Sequence, residues 1–459
     1  MLAPVPRRAC SSTCSLQILQ TGVRLASTNT GTFTTKFCTR SASVWTSRAS
    51  HYIYTPISGR KFFHSTASCA NKPSSPAAAA TTSEPRISYR VAVSSSGKGR
   101  RFHPLKNAYN FDPTLSDVIG VSKDKSPVAR RKARPDSGED AFFVSRIGST
   151  ATGHLPSSSR DSEPVAFAVA DGVGGWTESR VDPADFSHGL CGYMAQTALS
   201  WHEPADKLRP KSLLQAGYDQ VVADPSVKAG GSTASVGIAL PNGKVELANL
   251  GDSGSVLLRL AAVHTYSTPQ THGFNTPYQL SIIPPRMRAQ ASVFGGAFLE
   301  DFPRDAAVTN VQMQHGDVLM LATDGVFDNL NNQDILKLVT SRMIMAGAWT
   351  APDNGAVGVS ENLGALTMPG GLASAFPPQS PSAPNAEEIQ RLEETLTLQS
   401  LVAASISGEA KLASVDFRRD GPFAKEAQRY YPGDYYRGGK VDDICTLILV
   451  AVDENLKEH

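Results

Sequence analysis

Apolar positions beyond residue 85 follow two periods. Runs at residues 87–93, 141–145, 165–170, 235–240, 245–250, 255–260, 318–322 and 444–452 are dense in Val, Ile, Leu, Ala and Phe, and turn residues bound them. That is the pattern of strands. Pro241-Asn242-Gly243-Lys244 joins two of the runs by a turn short enough for antiparallel neighbours. Elsewhere the spacing is helical. Phe186, Leu190, Tyr193, Met194, Thr197 and Trp201 recur behind Asp182-Pro183, an N-cap with Pro at the first helical position. Similar patterns predict helices at 211–222 and 333–345. Strands and helices mixed in this way predict one domain with mostly antiparallel sheets.

Two stretches break the pattern. Residues 351–384 are rich in Gly, Ala, Pro, Ser and Asn, contain no Lys or Arg, and show no period, which predicts a loosely held insertion. Asn385, with Glu387 and Glu388 behind it, then caps a predicted helix at 386–404, so the insertion interrupts one domain. The other stretch is residues 1–83, which contain no Asp or Glu, many Ser, Thr and Ala, and spaced arginines. This is the composition of a mitochondrial transit peptide. Arg60-Lys61-Phe62-Phe63-His64-Ser65 fits a two-step processing signal and predicts a mature start near Ala70.

Charge changes meaning once that segment is set apart. Nine of the 44 basic residues precede Glu84, leaving 35 against 42 acidic residues, a net of −7. Such a body gives no reason to expect nucleic-acid binding. Four of the six cysteines lie before residue 70; Cys191 and Cys445 cannot form a disulfide framework and are expected to be buried small hydrophobes. No apolar run reaches eighteen residues, so no membrane-spanning helix is expected.

The candidate chemistry is acidic. Gly138-Glu139-Asp140 precedes one predicted strand and Asp442-Asp443 another; Asp171-Gly172-Val173-Gly174-Gly175-Trp176 and Asp324-Gly325-Val326-Phe327-Asp328 each follow one. Carboxylates gathered at strand ends repel one another unless cations hold them. Oxygen donors without His or Cys favour magnesium, manganese or calcium over zinc. Two such ions about 3.5–4 Å apart can activate a shared water for attack on a phosphoryl group.

With these motifs, Gly231-Ser232-Thr233-Ala234 and Asn249-Leu250-Gly251-Asp252-Ser253 complete a set of six in one order, and the chain resembles the type 2C metal-dependent protein phosphatases. The resemblance covers residues 86–452 apart from the insertion. It implies an α+β fold, a four-layer α-β-β-α sandwich of two antiparallel sheets flanked by helices. It also implies hydrolysis of phosphoserine and phosphothreonine in phosphoprotein partners by water activated between two Mn²⁺ or Mg²⁺ ions. Asp171 would bridge both ions; Glu139 and the Gly172 carbonyl would hold one, and Asp324 with Asp442 the other. Asp171 and Asp324 would thus act in catalysis through the metal-bound water. Asp252 and Asp328 match positions that hold a third, weaker ion in some members, and Asp140 and Asp443 would orient metal-bound waters. Asp-Gly-Val-Gly-Gly-Trp, Val181-Asp182-Pro183 and Phe274-Asn275-Thr276-Pro277-Tyr278 are similar to a mitochondrial branch, which implies the matrix and substrates in coenzyme Q biosynthesis and mitochondrial metabolism.

Two departures stand out. Val173 replaces the His that many members carry as general acid, and Pro135 replaces their phosphate-binding Arg, leaving Arg134 as the substitute candidate beside a solvated basic run at 130–134. Those departures keep two alternatives open, a catalytically silent scaffold domain and a small-molecule phosphohydrolase. His188 is read as a surface or core-edge histidine beside the apolar stripe of the Asp182 helix, His264, His272 and His315 are isolated and are not assigned a role, and Trp176 is expected to pack.

Overall fold

Strand runs that are apolar at every position need cover on both faces. The computed structural model describes residues 85–112, 116–124, 126–148, 163–293, 298–351, 355–372, 395–433 and 435–457. Two six-stranded antiparallel sheets stack in it. Their strands are β1 (Ile87–Ser96), β2 (Ala108–Phe111), β3 (Val118–Ile119), β4 (Asp140–Arg146), β5 (Val165–Asp171), β6 (Ala234–Ala239), β7 (Lys244–Leu250), β8 (Gly254–Arg259), β9 (Ala262–Tyr266), β10 (Ala307–Gln312), β11 (Val318–Ala322) and β12 (Ile444–Asp453). One sheet is ordered β9-β8-β11-β12-β1-β2, the other β10-β7-β6-β5-β4-β3.

The two faces of each central strand enter different cores. On β5, Val165, Phe167 and Val169 lie between the sheets, whereas Ala166, Ala168 and Ala170 lie beneath helices α1 (Pro183–Leu199) and α2 (Pro210–Ala223). On β12, Cys445, Leu447, Leu449 and Ala451 share the inter-sheet core, and Ile444, Ile448, Val450 and Val452 pack under α3 (Asn332–Met345) and α4 (Leu398–Ser414). Each buried Phe or Leu in these layers contributes about 1.5–3 kcal/mol. The result is the four-layer α-β-β-α sandwich expected, with Cys191 and Cys445 fully buried.

Local signals agree with the elements. Asp182 accepts a hydrogen bond from Ala184 N at 3.1 Å and Pro183 opens α1, while Asn331 caps α3. Gly243, at φ +83°, turns the chain between β6 and β7. Two expectations change. Helix α4 is capped by Thr397 and runs to Ser414, ten residues past its expected end; beyond Ile406 its buried positions are Ser407, Ala410, Ala413 and Ser414, small residues that give only a weak apolar signal. Ser407 Oγ, for example, donates to Ser94 O at 3.1 Å. Within the stretch expected to be loose, Gly358–Val359 pairs with Trp349–Thr350, and Leu363, Leu366 and Leu372 are buried in the α3–α4 core. Three leucines in a Gly- and Pro-rich stretch suffice to anchor it. Residues 1–83, the remainder of the insertion beyond 372 and the cap at Asn385 lie outside the described residues. Among the described residues no helix is long and apolar enough to cross a membrane.

Candidate metal and active site

The register of β4 and β5 sets Asp140 opposite Asp171. In the other sheet, β11 and β12 end together, with Ala322 opposite Thr446. One threonine joins the two ends: Thr323 Oγ1 donates to Asp140 Oδ2 at 2.8 Å and accepts from Cys445 N at 3.0 Å. The acidic turns that the sequence scatters over 300 residues therefore meet at one edge of the sandwich.

Backbone contacts fix each turn. Thr233 N and Ser232 Oγ donate to Asp171 O at 2.9 and 2.8 Å, so the Gly231-Ser232-Thr233-Ala234 motif holds the backbone of the central aspartate. Glu139 O accepts from Gly172 N at 3.2 Å and from Ser187 Oγ at 2.6 Å. Gly325 is pressed against the Asp442-Asp443 turn so closely that a Cβ there would lie 1.8 Å from Asp443 O. Asn329 Nδ2 spans the same gap, donating to Gly325 O at 2.9 Å and Lys440 O at 2.8 Å.

Glu139, Asp140, Asp171, Asp252, Asp324, Asp328, Asp442 and Asp443 thus share one electrostatic neighbourhood. Burial, reinforced by the neighbouring carboxylates, pushes Asp140, Asp171 and Asp328 well above the usual carboxylate range. The same causes raise Glu139 to about 7, through Asp443 and Asp442, and Asp252 to about 7, through Asp324. Asp252 Oδ1 is buried with no hydrogen-bond partner. Asp324 alone moves down: burial would raise it, but Lys440 and contacts with Asp171 and Asp328 outweigh that. Crowded oxygen donors and an orphaned carboxylate oxygen are the chemistry a divalent cation would satisfy, although among the described residues no three or more acidic, His or Cys side chains are drawn together closely enough to hold one as they stand.

Asp140 and Asp443, expected to orient metal-bound waters, both have protein partners. Asp140 is tied to Thr323, and Asp443 accepts from the backbone amides of Glu139, at 2.9 Å, and Lys98. Both brace one turn against another. Arg134 is not brought to the cluster's cleft. Its guanidinium binds Asp182 at 3.2 Å and also Asp185, while Arg131 takes Asp185 at 2.6 Å and Arg130 takes Asp224 at 3.0 Å. The three arginines of the run are engaged in ion pairs with α1 and the end of α2. What the sequence did not reveal is Lys440, whose Nζ stands 2.7 Å from Asp324 and Asp328 and 3.1 Å from Asp442.

A cleft of about 440 Å³ opens beside Glu139 and Asp443, walled by Gly97, Lys98, Arg100, Gly138, Gly174 and Thr177. Its basic side chains are exposed: Lys98 Nζ reaches Asp442 at 3.4 Å and Arg100 Nε reaches Asp136 at 3.7 Å. A cationic wall beside a carboxylate cluster can receive an anion that bridges the two. Val173, at the cluster's rim, donates its backbone N–H to Gly231 O at 3.0 Å and offers no side-chain proton.

No family model matches the chain. Over 244 residues it is 36% identical to "Protein phosphatase 2C homolog 7, mitochondrial" of Saccharomyces cerevisiae, a match covering 52% of this chain and 66%, just under two thirds, of that protein. Over 348 residues it is 30% identical to "Protein phosphatase PTC7 homolog fig" of Drosophila willistoni, covering 75% of this chain and 87% of that one. Among solved structures, the photosystem II phosphatase PBCP aligns at 22% identity and a TM-score of 0.44, over 72% of this chain and 97% of that chain.

Proposed function

The chain belongs to the type 2C metal-dependent protein phosphatases, on their PTC7 branch, and on that premise we propose that it hydrolyses phosphoserine and phosphothreonine in mitochondrial phosphoproteins. The observation that carries the reading is the convergence of buried carboxylates from both sheets, with burial and mutual repulsion raising Asp140, Asp171 and Asp328 and Asp252 Oδ1 left without a partner. Asp171 would touch two divalent ions, Glu139 and the Gly172 carbonyl one of them, and Asp324 and Asp442 the other. When bound, such ions lower the pKa of a water between them and draw charge from the phosphoryl oxygens.

The chain's own residues supply the rest. Thr323, Asp140 and Asp443 hold the turns in register, so that the carboxylates need little rearrangement. Lys98 and Arg100, on the cleft wall, supply the positive charge toward the substrate phosphate that Arg134 cannot. Leaving-group protonation falls to a donor other than Val173. The acid-free segment at residues 1–83 and the mitochondrial relative support import into the matrix, where phosphoproteins of coenzyme Q biosynthesis are the substrates proposed.

The test is Mn²⁺- or Mg²⁺-dependent release of phosphate from phosphoserine and phosphothreonine peptides by the full chain. Asp171→Ala abolishes it if the reading is right. Turnover that persists in Asp171→Ala with excess chelator overturns the mechanism. Activity confined to small phosphate metabolites, or metal binding with no turnover, overturns the substrate class.

A further inference from the structure

Seven aromatic side chains are exposed among the described residues, and five of them, Phe417, Tyr430, Tyr431, Tyr435 and Tyr436, lie between residues 417 and 436. Scattered singly they would need no explanation; gathered, they make a patch that calls for a partner. Helix α5 (Pro422–Tyr430) carries it. The tip of a hairpin, with arms Thr271–Gly273 and Thr276–Pro277, closes it from the other side. At that tip Phe274 meets three rings, with centroids 5.1 Å away for Phe423, 5.5 Å for Tyr430 and 5.6 Å for Tyr431, and Phe423 meets Tyr436 at 5.1 Å. Tyr430 and Tyr431 stay 46% and 55% exposed in spite of these contacts. Phe274 also opens the Phe274-Asn275-Thr276-Pro277-Tyr278 motif, which the hydrolytic site leaves unused.

The patch is continuous with the carboxylate cluster. Phe423 N donates to Asp328 O at 3.1 Å, and Lys440 Nζ stands 2.7 Å from Asp324 and 4.9 Å from the centroid of Phe423. The hairpin is anchored to the same edge of the sandwich. Gln279 Oε1 accepts from Trp176 Nε1 at 3.2 Å, in the turn that follows Asp171-Gly172, while the buried Asp301 accepts from Gln279 N at 2.9 Å and holds His272 Nε2 at 3.0 Å. Rings held in this way have little freedom left to lose when a ligand settles on them. Asp442 lies between the patch and the cleft, with Lys440 Nζ at 3.1 Å on one side and Lys98 Nζ at 3.4 Å on the other. The Phe423 ring is therefore no more than about 14 Å from Lys98 Nζ, about four residues of extended chain. A polypeptide whose phosphorylated residue enters the cleft can lay a neighbouring side chain on the rings. We infer that the patch is a docking platform for the substrate polypeptide, taking an aromatic or large aliphatic side chain within about four residues of the phosphorylated one. The inference rests on the phosphatase reading above. Tyr430 and Tyr431 then determine specificity and take no part in hydrolysis itself.

The experiment uses the full chain, Mn²⁺ and fluorescently labelled phosphoserine peptides in which one Phe or Leu is moved along both flanks of the phosphoserine in an Ala and Ser background. At positions that reach the patch, kcat/KM should rise about tenfold over the peptide without the apolar residue. Tyr430→Ser with Tyr431→Ser should erase that preference, and Tyr430→Phe with Tyr431→Phe should keep it. Turnover of p-nitrophenyl phosphate, too small to reach the rings, should be the same in all three proteins. A wild type indifferent to the apolar residue, or a preference that survives in the double Ser variant, overturns the inference. Equal losses on peptide and p-nitrophenyl phosphate overturn it too, because the rings then support the site and not the substrate. Binding to anionic lipid vesicles that the double Ser variant loses, with no peptide preference, assigns the patch to a membrane instead. A wild type that hydrolyses neither substrate overturns the phosphatase reading, and anisotropy of the same labelled peptides, which needs no turnover, still decides the platform: tighter binding of the apolar peptides by wild type than by the double Ser variant upholds it, and equal binding overturns it.

Discussion

The brace between Gly138 and Asp443 gives a prediction whose size can be worked out. Gly138 adopts φ +73°, and a Cβ on it would fall 2.0 Å from Asp443 Oδ1 and 2.4 Å from Asp443 Cγ. Gly138→Ala therefore carries two costs. The left-handed backbone costs about 1–2 kcal/mol for a residue with a Cβ. The Asp443 carboxylate must also swing away from the amides of Glu139 and Lys98, and a hydrogen bond to a charged acceptor is worth about 1.5–3 kcal/mol. Because a displaced carboxylate recovers some water, the loss of about one such bond is expected, for a total of about 3–5 kcal/mol. Gly99→Ala isolates the first cost. Gly99 has φ +68° but nothing within 4 Å of the point where a Cβ would stand, so its substitution should cost about 1–2 kcal/mol. Guanidinium unfolding in chelator, with midpoints compared at constant slope, measures both. If Gly138→Ala costs no more than Gly99→Ala, Asp443 is not a brace and the account of how Glu139 is positioned fails.

Three further outcomes concern α1 and the cleft wall. His188 is partly covered, but its Nε2 is sealed without a partner; burial, helped by Arg134, lowers it to about 3. Its folded value lies below the unfolded value of about 6.5, so the associated stability is complete above pH 6.5 and is lost as pH falls toward 3. Between pH 7 and 5 that is a loss of about 2 kcal/mol, which His188→Gln should largely remove; parallel unfolding midpoints for the two proteins over that range would refute it. Arg134→Ala should cost about 1 kcal/mol of stability through Asp182 and Asp185 while leaving KM for phosphopeptides unchanged. Arg100→Ala and Lys98→Ala should instead raise KM roughly tenfold, about 1.4 kcal/mol of lost phosphate binding, and the reverse pattern in steady-state kinetics would return the phosphate to Arg134.

These contrasts mark what the chain discloses before it folds. Strands covered on both faces, such as β5, β11 and β12, are apolar at nearly every position, and their spans are legible to within a residue or two. The edge strands β9 and β10 are largely exposed and carry His, Thr, Tyr, Asn and Gln, so nothing in their composition separates them from loops. Helix α4 packs through Ser and Ala, where close approach replaces apolar bulk, and its end is invisible to periodicity for that reason.

The site divides along the same line. An Asp beside Gly at a strand end is a local feature, since the turn and the carboxylate are adjacent in the chain, and so the cluster's members could be named from the sequence. What holds them is not local. Thr323 meets Asp140 across 183 residues, Asp443 meets Glu139 across 304, and Lys440 meets Asp324 across 116. A charge run says even less: Arg130, Arg131 and Arg134 read as solvated or substrate-facing until Asp185 and Asp224 arrive on α1 and just beyond α2 to claim them. Cationic partners of the cluster are therefore the part of this site that only tertiary structure can assign, because a lysine's charge is the same wherever it points, whereas the carboxylates are constrained by the turns they sit in. That asymmetry is why Arg134 is the visible candidate in the sequence, and why Lys98, Arg100 and Lys440 are the basic residues the fold sets against the acids.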